Sequence, residues 1–168
     1  MKRVLIIGSP GTGKSTFARK LAAKTGLPLI HIDYYYHDPS KDYYTNKVAW
    51  RELVMKMAAK DRWIMDGNFG NTMGERMQLA ETIFYFDLPR RTALWGVLKR
   101  RFHAVKGVKR DDMPEGWKEK ANWKFLTYVW GFKKAYEPAT KELLARNQDK
   151  QIIIFKNHKQ IADYLKSR

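Results

Sequence analysis

The sequence predicts an α/β fold: a five-stranded parallel sheet with helices on both faces. Three observations lead there. Short apolar runs alternate with amphipathic stretches along the whole chain. The runs are nearly continuous rather than alternating in and out, which is how strands covered on both faces read. A glycine-rich segment then joins the first run directly to the first amphipathic stretch.

Taken in order, the strands are expected at residues 3–7, 29–32, 63–65 and 83–86 and at Gln151–Phe155, each rich in Ile, Val or aromatic residues. A helix carrying Phe17, Leu21 and Ala22 follows the first. Trp50, Leu53, Val54 and Met57 recur with helical spacing and predict one buried face on a helix over about residues 46–60. After the fifth strand, Asn157 and Gln160 resemble a capping box, with Ile161, Tyr164 and Leu165 as the inner face. Residues 90–148 form a long basic, aromatic, helical excursion, interrupted at Gly107, Pro114 and Gly116 and again near Pro138. In its first part Leu94, Val97, Leu98 and Phe102 are expected to be the buried side. With no repeat and no linker composition, residues 1–168 read as one domain, 90–148 being its lid or insertion.

Composition narrows the function. The chain has no cysteine, which excludes disulfides, thiolate catalysis and Cys-zinc sites, and its four histidines (His31, His37, His103, His158) show no metal-ligand spacing. A transition metal is therefore not expected. No apolar run is long enough to span a bilayer, and the start shows no secretion-signal pattern, so the chain is expected to be cytoplasmic without a membrane partner. Thirty-three basic against seventeen acidic residues give a net charge of +16, a field that attracts phosphate on nucleotides or on nucleic acid alike. Nothing fixes an oligomeric state.

Gly8-Ser9-Pro10-Gly11-Thr12-Gly13-Lys14-Ser15 fits G-x-x-x-x-G-K-[ST] at every fixed position, between a strand and a helix. Glycines let the backbone wrap tightly and aim N–H groups at phosphate oxygens, and the helix adds its positive end. Lys14 would reach the β- and γ-phosphates, Ser15 would place a hydroxyl on Mg²⁺, and Thr16 would cap the helix or meet the α-phosphate. Two strands end in aspartate. Asp66, followed by Gly67-Asn68, is the candidate for holding Mg²⁺ through water, against an Asp-Gly turn; Asp87, before Leu88-Pro89, reads as a helix cap. Asp33 ends the second strand and could orient or deprotonate an attacking hydroxyl, help position Mg²⁺, or be a solvated strand end. Tyr34, Tyr35, Tyr36, Tyr43 and Tyr44 fit either ring stacking or packing. A transferring phosphoryl group needs cations. Arg101, seven residues after Leu94, is the leading candidate, Arg100 the next, and Lys109, Arg110, Lys133 and Lys134 follow.

The phosphate loop, Asp33, Asp66-Gly67-Asn68 and Phe86-Asp87-Leu88-Pro89-Arg90 together resemble the adenylate-kinase-like P-loop group. With Asp111-Asp112-Met113-Pro114, Trp123-Lys124-Phe125-Leu126 and Trp130-Gly131-Phe132 in the same order, the whole chain is similar to bacterial DNA topology modulation proteins. The resemblance implies a three-layer α/β/α P-loop nucleoside-phosphate-kinase-like fold, ATP·Mg²⁺ at residues 11–16, and a mobile basic lid. Adenylate kinases carry Asp-Gly-Phe-Pro-Arg where this chain has Asp66-Gly67-Asn68-Phe69-Gly70, so AMP is not implied as acceptor. Two readings follow: an ATP- and Mg²⁺-dependent phosphotransferase acting on a nucleotide, nucleoside or other small hydroxylated or phosphorylated acceptor, and an ATP-regulated DNA-binding protein using its basic surface.

Overall fold

The computed structural model describes residues 1–106, 112–114 and 122–167. Its five strands are β1 (Arg3–Gly8), β2 (Leu29–His31), β3 (Trp63–Asp66), β4 (Thr82–Phe86) and β5 (Gln151–Phe155). They form one parallel sheet in the order β2-β3-β1-β4-β5. Each lies within two residues of its expected span. Ile32, expected to end the second strand, instead opens the short helix α2 (Ile32–Tyr36).

Alternate residues of the central strand feed two cores, as strand geometry requires. Val4 and Ile6 pack with Phe17, Leu21 and Ile161 from α1 (Lys14–Thr25) and α7 (His158–Lys166). Leu5 and Ile7 pack with Trp50, Val54, Met73 and Met77 from α3 (Lys47–Ala58) and α4 (Gly70–Leu79). In the first core Phe17 meets Phe84, Phe86 and Phe155 edge-on at centroid distances of 4.9–5.4 Å, contacts worth about 0.5–1.5 kcal/mol each beyond burial. The expected capping box forms: Asn157 accepts from the Gln160 amide, while the Gln160 side chain accepts from the Lys156 amide. Asn46 also caps α3, accepting from the Ala49 amide.

The helical excursion departs from expectation at three points. α5 (Arg90–Val105) buries Ala93 and Val97, whereas Leu98 and Phe102 are exposed. Its small residues face inward because its backbone rides on the phosphate loop: a Cβ on Gly96 would stand 1.9 Å from the Gly11 carbonyl oxygen, and one on Gly11 would stand 2.3 Å from that of Ala93. α6 (Trp123–Arg146) runs straight through Pro138. Both of its halves are anchored, Val129 against Ala93 and Val97 and Leu144 in the second core, so losing one internal hydrogen bond does not end it. Asp87 does not cap α5, whose N-cap is Pro89; its carboxylate pairs with Lys133, which also lies 3.8 Å from Glu137. Among the described residues no helix is long and apolar enough to cross a membrane.

Gly96→Ala tests the α5 contact. Helix propensity favours alanine by about 1 kcal/mol, but overpacking against immovable backbone costs about 1–3 kcal/mol. Urea denaturation should therefore show net destabilisation of about 1 kcal/mol, and a more stable variant would refute the contact.

Candidate active site

The carboxyl ends of β1, β2 and β3 meet at one edge of the sheet, where open α/β folds place their ligands. There β1 runs into the phosphate loop. Gly8, Gly11 and Gly13 adopt φ of 135°, 76° and 94°, a region other residues enter at a cost. α1 starts with Gly13 as N-cap, without a side-chain cap or an acidic residue in its first turn, an arrangement of leading N–H groups and dipole that suits an anion. Thr12 Oγ1 and Lys14 Nζ both donate to the Ser9 carbonyl, at 2.7 and 2.8 Å.

Asn68 clamps the loop from β3. Its Oδ1 accepts from the Gly8 amide at 3.0 Å and its Nδ2 donates to the Gly8 carbonyl at 2.9 Å. From the start of α7, which packs on the same face of the sheet as α1, His158 Nε2 lies 3.3 Å from the Thr12 carbonyl. Neither residue stands out in the sequence as a brace, because both act on backbone atoms remote along the chain.

Loop residues 8–16 open onto a cleft of 1330 Å³ that Asp33, Asp66 and Arg100 also line. Arg101 is exposed and outside the cleft lining. The reason is the phase of α5: with Ala93, Gly96 and Val97 inward, Arg100 follows on the inner face one turn later. Lys133 lines the cleft in its pairing with Asp87, and Lys134 is exposed. Lys109 and Arg110 lie outside the described residues. Of the tyrosines, Tyr36 and Tyr44 line the cleft, Tyr34 and Tyr35 are exposed, and Tyr43 packs on Trp50 at 5.4 Å.

Asp33 acts on three neighbours. Burial, partly offset by Asp33, lowers the Arg76 guanidinium to about 9. Burial, then Tyr136, then Asp33 push the Tyr128 hydroxyl up to about 12, and Asp33 also helps raise that of Tyr44. Its carboxylate therefore faces the part of the cleft walled by α4, α6 and the tyrosines.

Arg76 is fully buried and still charged at neutral pH. Its Nη1 donates to the Gly67 carbonyl at 2.9 Å and its Nη2 to those of Asn68 and of Phe69, the latter at 3.1 Å, while Nε donates to Thr72 Oγ1 at 3.2 Å. The guanidinium thus fixes the β3–α4 loop, including Phe69, whose φ of 44° is costly for a side chain of that size. An arginine set among Met73, Met77 and Ala80 at helical spacing is the sequence signal for it. At the end of β3, Asp66 Oδ2 shares a 3.0 Å hydrogen bond with His31 Nδ1.

The family described as ATPase family associated with various cellular activities (AAA) matches residues 4–80, which hold β1, the phosphate loop, β2, β3 and Asp66. A shikimate kinase of Parabacteroides distasonis is 36% identical over 63 residues, 34% of this chain and 36% of that enzyme. The matched stretch thus spans about a third of that relative. Among solved structures, shikimate kinase from Bacteroides thetaiotaomicron is similar over 99% of this chain and 95% of its own, with TM-score 0.57 and 18% identity. Shikimate kinase from Acinetobacter baumannii aligns over 99% and 90%, with TM-score 0.62 and 14% identity. Deoxyadenosine kinase from M. mycoides aligns over 98% and 96%, with TM-score 0.55 and 14% identity. The chain has the fold of these P-loop kinases, a five-stranded parallel sheet with flanking helices.

Arg76→Met keeps the apolar stem but strips the donors from three carbonyls and one hydroxyl. Each orphaned buried acceptor costs about 1–3 kcal/mol before relaxation, so unfolding free energy should fall by about 2–4 kcal/mol. Arg76→Lys should recover only part, because an ammonium cannot fork. A Met variant within about 0.5 kcal/mol of the parent would show that Arg76 does not brace the loop.

Proposed function

We propose that the protein is an ATP- and Mg²⁺-dependent phosphotransferase whose acceptor is a small hydroxylated compound of the nucleoside or nucleotide class. The observation that carries this reading is that the uncapped α1 N-terminus and Lys14 open onto the same cleft as Asp33. Donor phosphates and an acceptor hydroxyl then share one space. In this reading the backbone of residues 8–16 binds the phosphates and Lys14 takes their charge. Asp33 orients the attacking hydroxyl and accepts its proton, and Arg100 neutralises the transferring group. Residues 1–168 act as one unit with 90–148 as the lid.

The metal's fit rests on Asp66. Its Oδ1 is buried and accepts no hydrogen bond from the described residues, a cost that a cation or its water would relieve. Ser15 and Asp66 would hold Mg²⁺, the latter through water, and the ion supplies charge neutralisation on the phosphates.

Tyr36, Phe69, Tyr128, Phe132 and Tyr136 give the cleft an aromatic wall, which suits a base that stacks. That the M. mycoides deoxyadenosine kinase was solved with dCMP and dCDP supports the same class. One observation favours a second reading, an ATP-regulated DNA-binding protein like the topology modulation proteins the sequence resembles. Trp95, Phe102, Trp123 and Trp130 are exposed on α5 and α6, with Lys106 over Phe102 at 4.5 Å and Arg90 over Trp130 at 5.9 Å.

The deciding experiment is Mg²⁺-dependent ATP consumption against nucleosides, nucleoside monophosphates and other small hydroxylated metabolites, with single- and double-stranded DNA as further additions. The expected result is stimulation by one small acceptor with a phosphorylated product; stimulation by DNA alone sinks the kinase reading. Lys14→Ala should abolish turnover while leaving the circular dichroism spectrum unchanged. Arg100→Ala should lower kcat by about a hundredfold or more, and Arg101→Ala should leave it near the parent value. Equal losses at the two arginines would contradict the roles given to them.

A further inference from the structure

The linear sequence offers no metal-ligand spacing, but the fold assembles one. His31 ends β2 and Asp66 ends β3, in register with one another. Leu29 and Ile64, two residues earlier on each strand, pack in the α1 core, so strand alternation sends His31 and Asp66 to the α1 side. Asp112, from the Asp111-Asp112-Met113-Pro114 stretch that the kinase reading leaves unused, reaches the same place. One ligand atom each from His31, Asp66 and Asp112 lie within 4.8 Å of one another.

Two features set this group apart from a surface cluster of acids. Asp66 and Asp112 are 5% and 4% exposed, so two carboxylates are held close together out of water. Arg19 Nη1 stands 3.9 Å from Asp112 Oδ1, and His31 meets only one Asp66 oxygen. The other, Asp66 Oδ1, is buried and receives no hydrogen bond from the described residues. An imidazole nitrogen 3.0 Å from a carboxylate oxygen also matches neighbouring ligands on one ion, which bonds of about 2.1 Å hold roughly 3 Å apart.

We propose that His31, Asp66 and Asp112 bind a divalent transition-metal ion directly, in the absence of nucleotide. One nitrogen and two carboxylate donors favour an ion of the Mn²⁺-to-Zn²⁺ series over Mg²⁺, which prefers oxygen and keeps its waters. On binding, the ion replaces the proton shared by His31 Nδ1 and Asp66 Oδ2. The imidazole ends with its one proton on Nε2: the Nδ1 proton leaves to solvent when His31 starts charged, and moves to Nε2 when it starts neutral. The site does not depend on the kinase reading, because no phosphate takes part in it.

The test uses the full chain without nucleotide or phosphate, with Mn²⁺ as the probe. Electron paramagnetic resonance should show about one Mn²⁺ taken up per chain, not displaced by equimolar Mg²⁺. His31→Ala and Asp112→Asn should each weaken uptake by about tenfold or more. Pulsed measurements on the unmodified protein should show coupling to one ¹⁴N nucleus, a readout that does not depend on either variant folding. Uptake that equimolar Mg²⁺ displaces, uptake unchanged in both variants, or bound Mn²⁺ without nitrogen coupling would each overturn the proposal and leave the group as an ion-paired cluster.

Discussion

The backbone of the phosphate loop must keep its N–H groups aimed into the cleft, and most of the surrounding structure follows from that demand. Other residues would pay about 1–2 kcal/mol at each of the three positive-φ positions, so Gly8, Gly11 and Gly13 remove that strain and leave those three positions without side chains to hold them. Support has to come from outside. Asn68 grips both polar atoms of Gly8, β4 closes on it so tightly that a Cβ there would meet the Phe86 carbonyl at 2.5 Å, and α5 lies on Gly11. A loop braced in this way has its dipoles placed before any phosphate arrives, which is where electrostatic stabilisation is most effective.

The same contact fixes what the helical segment can offer. Because α5 must bring Ala93 and Gly96 against the loop, its rotation about its own axis is set, and the exposed side falls on Leu98, Arg101 and Phe102. α6 packs Val129 on that inner face and reaches back to the second core through Leu144, tying the far end of the segment to the sheet. In a chain of net charge +16, Asp33, Asp66 and Asp112 all face into the cleft. The broad field draws anions toward the protein, while these carboxylates set negative charge inside the cleft itself.

Features carried by neighbouring residues were legible in the sequence. The phosphate loop, the five strands, the Trp50 helix face and the cap at Asn157 all depend on local spacing, and the structure has them. The phase of α5 was not legible, since Leu94, Leu98 and Phe102 look like a better core stripe than Ala93 and Gly96 until the helix is known to sit on backbone. Asp87 looked like a cap because Lys133, its partner, lies forty-six residues away. Pro138 looked like a helix end because anchoring of both halves is tertiary information. The grouping of His31 with Asp66 and Asp112 is likewise a product of strand order, which no linear spacing rule encodes.

The β3–α4 loop shows how a change in one short motif reshapes the acceptor side. Where adenylate kinases have Phe-Pro-Arg after Asp-Gly, this chain has Asn68-Phe69-Gly70, and each of its polar resources is already committed. The Asn68 amide is taken by Gly8, and the guanidinium of Arg76, one helical stretch later, is taken by the carbonyls of Gly67, Asn68 and Phe69. The Phe69 ring turns onto Tyr36 and Trp50 at 4.6 and 4.9 Å, extending the aromatic wall. A loop braced inward by its own arginine has no cation of its own to set against an acceptor phosphate. What it presents to the cleft beside Asp33 is an aromatic surface, built by Phe69 with Tyr36 rather than by polar side chains.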